Sequence, residues 1–159
     1  VLAHALGGIR RDIFGMPCDV NALATAALYH DASEILTGDL PTPIKYHNAE
    51  IMSAYHAVED LAVQKLLGML PPELRETYAD VLSEDKDGDI YPLVKAADKL
   101  SAYIKCIEER KAGNNEFLSA EAQTRAALEA SPLPEVQYFL EHFIPAFERD
   151  LDELGAIGQ

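Results

Sequence analysis

The chain has 159 residues and a mass of 17.4 kDa, the size of one ordinary domain that folds around a single core. Its hydrophobic share of 48% and charged share of 25% are typical of globular proteins and exclude a disordered or low-complexity chain. The 13 Lys and Arg residues against 27 Asp and Glu give a formal charge of -14, which opposes binding to a nucleic acid polymer. A small anionic substrate is still compatible with this charge, because a metal ion can reverse the sign inside a pocket.

The cysteines and the start of the chain provide information about the cellular compartment of the protein. Cys18 and Cys106 lack a CxxC spacing, which favours reduced thiols in a cytoplasmic protein. No apolar run approaches the roughly 20 residues that cross a bilayer, so no membrane segment is predicted. The chain has no basic leader and opens within an apolar helical repeat formed by Val1, Leu2, Ala5, Leu6 and Ile9. We expect that it begins partway along a helix and that a preceding segment is absent.

Helical periodicity dominates the first third of the chain, and no stretch alternates as a strand does. The first helix is predicted from Val1 to about Arg11, ending at the turn Gly15-Met16-Pro17. Asp19 is the predicted N-cap of a second, alanine-rich helix, NALATAALYHDASEIL, whose small side chains suit a central position.

The rest of the chain continues the helical pattern after one loop. Gly38 ends the alanine-rich helix, and the prolines of TGDLPTPIKY predict an ordered extended loop. The further helices are predicted from Ala49 to about Leu67, from Pro72, from Pro92 to the Ala112-Gly113 stop, from Ser119 to Ala130, and from Pro134 to Leu154 with a kink at Pro145. No internal repeat or long linker divides the chain, so we expect an all-α fold with one domain over residues 1–159.

The dipeptide His30-Asp31 combines side chains that can hold a metal ion. Adjacent side chains point about 100° apart on a helix, so these two can share an ion only in the looser geometry of a last helical turn or with help from a second helix. An imidazole nitrogen and a carboxylate oxygen suit a divalent ion such as Mn, Co, Zn or Fe. Such dipeptides also occur as caps or surface pairs, so the pair alone leaves both interpretations open.

Other polar side chains extend this pattern. Asp98 lies at the edge of an apolar stripe, and a buried aspartate needs a partner, which is a metal ion, a helix-to-helix salt bridge or a backbone donor. Glu34 follows His30 by four residues, so on a continuous helix it can reach a bound water; a solvated position at the helix end is the alternative. The next loop adds polar side chains that suit a phosphate-bearing ligand, although ordinary turns share this composition: Thr37, Asp39, Thr42 and Lys45.

Three blocks of sequence make the chain recognisable: HDASEILTGDLPTPIKY, KAADKLSAYIKCIEE and AGNNEF. They resemble the bacterial 5'-deoxynucleotidase family of the HD-domain phosphohydrolase superfamily, and the likeness extends from Val1 to about Glu153. The resemblance implies a helical HD domain, a bound divalent metal ion such as Co, Mn or another transition metal, and a homodimer. It also implies an enzyme that removes phosphate from deoxyribonucleoside 5'-monophosphates.

The resemblance assigns a role to each candidate residue. His30, Asp31 and Asp98 correspond to the metal ligands, and Glu34 to the acid or base beside the bound water. Asp31 is expected to be catalytic as well, and both Asp31 and Asp98 to face the substrate. The substrate-binding loop corresponds to Asp39, whose carboxylate accepts a hydrogen bond from the sugar 3'-hydroxyl, followed by Leu40, Pro41 and Thr42. Lys45 is added on electrostatic grounds, as a cation for the phosphate.

The chain departs from the family pattern near its start. An earlier histidine ligand and an upstream Arg-Trp pair are not present, and the chain contains no Trp. Either the N-terminal helix that carries them is absent from this chain, which the abrupt first helix favours, or the site uses three ligands. Two other functions stay open: an HD phosphohydrolase that acts on a nucleoside triphosphate or an alarmone, and a non-catalytic HD module that binds a nucleotide.

Overall fold

The computed structural model describes residues 1–40, 48–83, 88–150 and 153. Over these residues the chain is helical without a strand, which confirms the all-α prediction. The elements in chain order are α1 (Leu2–Gly8), a π-helical turn (Ile9–Ile13), α2 (Val20–Tyr29), α3 (Glu34–Thr37), α4 (Ala49–Met69), α5 (Pro72–Leu82), α6 (Tyr91–Lys111), α7 (Leu118–Glu129), α8 (Pro134–His142) and α9 (Ile144–Glu148).

Helix starts follow the capping signals in the sequence. Asp19 Oδ1 accepts hydrogen bonds from the amides of Asn21 and Ala22 at 3.0 and 2.9 Å, so the predicted N-cap of α2 is confirmed. Asn48 caps α4 in the same way, with its Oδ1 2.8 Å from the amide of Ile51. Both side chains satisfy amides that would otherwise lack a partner in the first helical turn.

Two predicted helices are interrupted. The alanine-rich helix ends at Tyr29, and residues 30–33 form a turn before α3. Asp and Ser side chains favour non-helical backbone, and both types occur in this turn. The predicted helix from Pro134 to Leu154 divides instead at Phe143, since Pro145 has no N–H to continue the hydrogen-bond ladder. Its second part, α9, ends at Glu148, and the predicted end at Leu154 lies outside the described residues.

The π-helical turn is a further difference from the predicted first helix. It extends the helical path from α1 to Ile13, beyond the predicted end near Arg11. The amide of Phe14 donates to the carbonyl of Ile9 at 3.2 Å, a bond that spans five residues rather than four.

The chain divides into two compact units, one of which consists of Val1–Ala27 and Gly88–Gln159. In this first unit α6 contacts α1, α7 and α9. The apolar stripe predicted on α6 is confirmed as core, with buried side chains at Leu93, Val94, Ala97, Leu100, Ile104 and Ile107. That the chain forms one domain over residues 1–159 stays a prediction.

The second unit consists of Leu28–Asp87, in which α4 contacts both α3 and α5. Among its described residues, only Ser33, Ala62 and Leu67 are buried. No helix in the part of the chain that the structure describes is long and apolar enough to span a membrane.

Candidate functional site

The His30-Asp31 pair lies in the turn between α2 and α3, in the second unit. His30 Nε2 is 3.0 Å from Asp31 Oδ2, and the two side chains are 19% and 53% exposed. On a regular helix these adjacent side chains would diverge by about 100°, so their approach depends on the departure from α-helical geometry at residue 30. His30 Nε2 is itself buried, and the Asp31 carboxylate beside it belongs to a half-exposed side chain. An imidazole nitrogen and a carboxylate oxygen are thus adjacent, a donor set that fits a borderline divalent ion.

Glu34 is the first residue of α3 and is partly buried. Its amide donates to the carbonyl of Asp31 at 3.0 Å, and the amide of Ala32 donates to the carbonyl of Tyr29 at 2.9 Å. These bonds span three residues, so positions 31 and 34 lie on one side of the turn. The expectation that His30 and Glu34 share one face of a continuous helix is therefore wrong, because α2 ends before His30.

An aromatic contact fixes the residue that precedes the pair. The ring of Tyr29 meets the ring of Tyr78, on α5, edge to face, with centroids 6.2 Å apart and planes at 83°. Such contacts contribute about 0.5–1.5 kcal/mol beyond the area they bury. No sequence pattern indicated Tyr78, because its contact depends on how α5 packs within the second unit.

The loop that follows α3 begins at a restrained glycine. Gly38 has φ 71° and ψ 161°, a conformation that is essentially limited to glycine. Its carbonyl accepts hydrogen bonds from Thr37 Oγ1 at 3.0 Å and from the Tyr55 hydroxyl at 3.3 Å. Asp39 is exposed and Leu40 partly buried immediately after this glycine. Three predicted loop residues, Pro41, Thr42 and Lys45, lie outside the described residues.

Asp98 lies on α6, in the first unit, between the buried residues Ala97 and Leu100. Its side chain is exposed, so the burial that was expected for it is wrong. The reason is its place at the margin of the apolar stripe, where a helical position can turn to either side. Among the described residues, no group of three or more His, Cys, Asp and Glu side chains is arranged to hold a metal ion. The ligand set of His30, Asp31 and Asp98 stays a prediction.

Comparison with solved structures identifies the class of protein. The chain is similar to an HD-domain phosphohydrolase from Listeria innocua, with a TM-score of 0.77 and 27% sequence identity. The match covers 92% of this chain and 71% of that chain. The all-α fold, with a His-Asp pair in a turn between helices, is thus that of the HD-domain phosphohydrolases.

Comparison with families and curated proteins narrows this class. The family model described as 5'-deoxynucleotidase YfbR-like matches residues 1–147. The chain is 50% identical over 156 residues to 5'-deoxynucleotidase YfbR of Shigella flexneri serotype 5b and 49% identical to that of Escherichia coli K12. Each match covers 98% of this chain and 78% of the relative. The chain belongs to the 5'-deoxynucleotidase YfbR-like family, which confirms the resemblance seen in the sequence.

Proposed function

We propose that this chain is a metal-dependent phosphomonoesterase that converts deoxyribonucleoside 5'-monophosphates to deoxynucleoside and phosphate. The observation that carries the proposal is the 50% identity to a 5'-deoxynucleotidase over 98% of the chain. The His-Asp turn supports it, because it brings an imidazole nitrogen and a carboxylate oxygen together one short helix before a loop that begins with an exposed Asp39.

The proposed cofactor is one divalent ion, Co, Mn or another transition metal. His30, Asp31 and Asp98 would hold it, and the 3.0 Å approach of His30 Nε2 to Asp31 Oδ2 supports the first two of these ligands. When bound, such an ion lowers the pKa of a water molecule and neutralises charge on the phosphoryl oxygens.

The other proposed roles belong to side chains of the second unit. The Glu34 carboxylate takes or returns the proton of the attacking water. Asp31 and Glu34 lie on the same side of the turn between α2 and α3. Asp39 accepts a hydrogen bond from the sugar 3'-hydroxyl, and Leu40 packs beside the sugar. A pocket without a partner for a 2'-hydroxyl would disfavour ribonucleotides by about 1–3 kcal/mol.

The test is phosphate release from dAMP, AMP, deoxyadenosine 3'-monophosphate and dATP in the presence of Co or Mn. We expect release from dAMP, at least several-fold less from AMP, and none from the 3'-phosphate. Asp98→Ala should abolish release, whereas Asp80→Ala, which removes an exposed carboxylate on α5, should not. Undiminished turnover in Asp98→Ala would contradict the ligand set, and a preference for a nucleoside triphosphate would indicate another HD phosphohydrolase.

Glu34→Gln separates proton transfer from metal binding. The amide keeps the shape of the side chain but cannot take up a proton, so turnover of dAMP should fall by about 100-fold or more. Bound metal, measured by elemental analysis, should stay close to that of the unaltered chain. Loss of metal from this variant would make Glu34 a ligand instead.

We also propose that the protein acts as a homodimer in the cytoplasm. Exposed apolar side chains of α3 and α4, including Leu36, Val58 and Leu61, line a groove of about 650 Å³ in the second unit, and such surfaces favour association. Cys18 and Cys106 are both unpaired thiols, which suits a reducing compartment. Sedimentation should give twice the chain mass of 17.4 kDa, and the mass of one chain at all concentrations would contradict the dimer.

A further inference from the structure

The carbonyl of Gly38 is held by two hydroxyl groups from different parts of the second unit. Thr37 Oγ1, from the preceding residue, lies 3.0 Å away, and the Tyr55 hydroxyl, on α4, lies 3.3 Å away. The bond from Tyr55 joins positions 17 residues apart, so it ties the start of the loop to a long helix. The bond from Thr37 acts only within the end of α3.

The carbonyl of Gly38 belongs to the same rigid plane as the amide nitrogen of Asp39. A hydrogen bond that restrains this carbonyl therefore also restrains the direction in which the chain enters Asp39. A Cβ at Gly38 would meet nothing within 4 Å, so packing does not require glycine here. The backbone conformation does, because its φ is 71°. The conformation of Gly38 and the two hydroxyl groups that donate to its carbonyl together restrain the backbone position from which the Asp39 side chain extends.

We propose that Tyr55 is a positioning residue for substrate selection: its hydroxyl holds the Gly38 carbonyl so that Asp39 is aligned with the sugar 3'-hydroxyl. This inference rests on the proposed function, which places Asp39 at the sugar. Tyr55 itself touches neither substrate nor metal in this scheme. Its proposed effect reaches the substrate through the peptide plane between Gly38 and Asp39.

Tyr55→Phe tests the proposal because it removes the hydroxyl and keeps the ring. The substrates are dAMP and 2',3'-dideoxyadenosine 5'-monophosphate, which lacks the 3'-hydroxyl that Asp39 is proposed to bind. In the unaltered chain dAMP should have the lower KM. In Tyr55→Phe the KM for dAMP should rise roughly three- to tenfold, the range expected for one hydrogen bond. The KM for the dideoxy substrate and the kcat for both should change by less than twofold.

Two further variants separate positioning from a general effect on the fold. Gly38→Ala should raise the KM for dAMP more than Tyr55→Phe does, because a side chain at this φ strains the backbone that leads to Asp39. Tyr138→Phe is the matched control, since Tyr138 lies in the first unit and its ring contacts Phe14 and Phe143. It should leave both KM values and the bound metal unchanged.

The outcomes distinguish this inference from the proposed function. An equal rise in KM for both substrates in Tyr55→Phe, or loss of its metal, overturns the positioning role while the nucleotidase activity stands. If the unaltered chain releases no phosphate from dAMP, the proposed function fails, and calorimetric binding of the two nucleotides then decides the role of Tyr55. Weaker binding of dAMP alone in Tyr55→Phe supports the role, and equal changes, or no binding of either nucleotide, overturn it.

Discussion

The two units differ in what stabilises them. In the first, α6 is surrounded by helices and presents fully buried side chains such as Leu93, Leu100 and Ile107. In the second, the described residues bury little, and an aromatic contact of Tyr29 with Tyr78 restrains the turn that carries His30. A buried core gives high resistance to local opening, whereas low burial permits small movements. The His30 turn and the start of the loop after Gly38 therefore belong to the more adaptable unit.

The largest expected effect comes from shortening a buried leucine in each of the two units. Leu100 is 0% exposed and Leu67, the most buried leucine of the second unit, is 9% exposed. Leu100→Ala should lower the free energy of unfolding by ~3–4 kcal/mol and Leu67→Ala by ~2 kcal/mol, because a sparser surrounding collapses more easily around the lost volume. Denaturant unfolding followed by circular dichroism measures both, with exposed Leu118→Ala as the control. Equal losses of unfolding free energy in the two variants would contradict the difference in burial between the two units.

A buried charge in the first unit gives the next effect. Glu135 is 0% exposed, its carboxylate lies 3.4 Å from Arg10 Nη1, and it has no hydrogen-bond partner within the described part of the chain. Arg10→Met should cost about 2–3 kcal/mol of unfolding free energy, less than for a fully buried pair because Arg10 is 22% exposed. Adding Glu135→Gln should recover part of the loss. If the double variant is less stable than Arg10→Met, the buried charge is not the cause.

A smaller effect concerns the aromatic contact in the second unit. Tyr78→Leu removes the ring that meets Tyr29, so the turn that carries His30 should become less fixed. We expect about a fivefold weaker affinity for Co or Mn, which corresponds to roughly 1 kcal/mol of lost aromatic contact. Metal titration by calorimetry gives the affinity. Tyr78→Phe keeps the ring and should restore tight binding; failure to do so would assign the effect to the hydroxyl.

The smallest effect is a pH dependence in the first unit. Burial raises the pKa of the Cys18 thiol, and it does the same at Cys106. Between the ordinary thiol pKa and the raised pKa of the folded state, the folded chain keeps these protons and the unfolded chain loses them. The resulting contribution to stability is therefore fully present below the ordinary thiol pKa and is lost as the pH rises through the pKa of the folded state. Iodoacetamide should label the native protein slowly at neutral pH. The labelling rate plotted against pH should have its midpoint at a higher pH than for a free thiol, and a midpoint at a lower pH would contradict the burial.

Local signals predicted much of the fold, and long-range contacts were not predictable. The N-cap at Asp19 and the core stripe of α6 depend on short spacings, which the chain itself displays. The His30-Asp31 pair was identifiable because its members are adjacent in sequence. The end of α2 at Tyr29 was missed because Asp31 and Ser33 favour non-helical backbone only weakly, and the helical pattern continues on both sides of them. The exposure of Asp98 was also missed, since periodicity fixes the middle of a stripe better than its margin.

Two tyrosines that support the candidate site had no signal in the sequence. Tyr55 and Tyr78 act through partners far along the chain, Gly38 and Tyr29, and each looks like an ordinary residue of an amphipathic helix. Only the packing of α4 and α5 within the second unit brings each of them to its partner. For such residues the sequence supplies the side chain, and tertiary structure supplies the role.

The π-helical turn at Ile9–Ile13 affects how the chain tolerates a change in length. A π turn accommodates one residue more than an α turn, so it behaves like a single-residue insertion absorbed inside a helix. Deleting one residue there would restore α-helical spacing and leave the helical register on either side in place. The same deletion within α6 would rotate every later core side chain away from its neighbours.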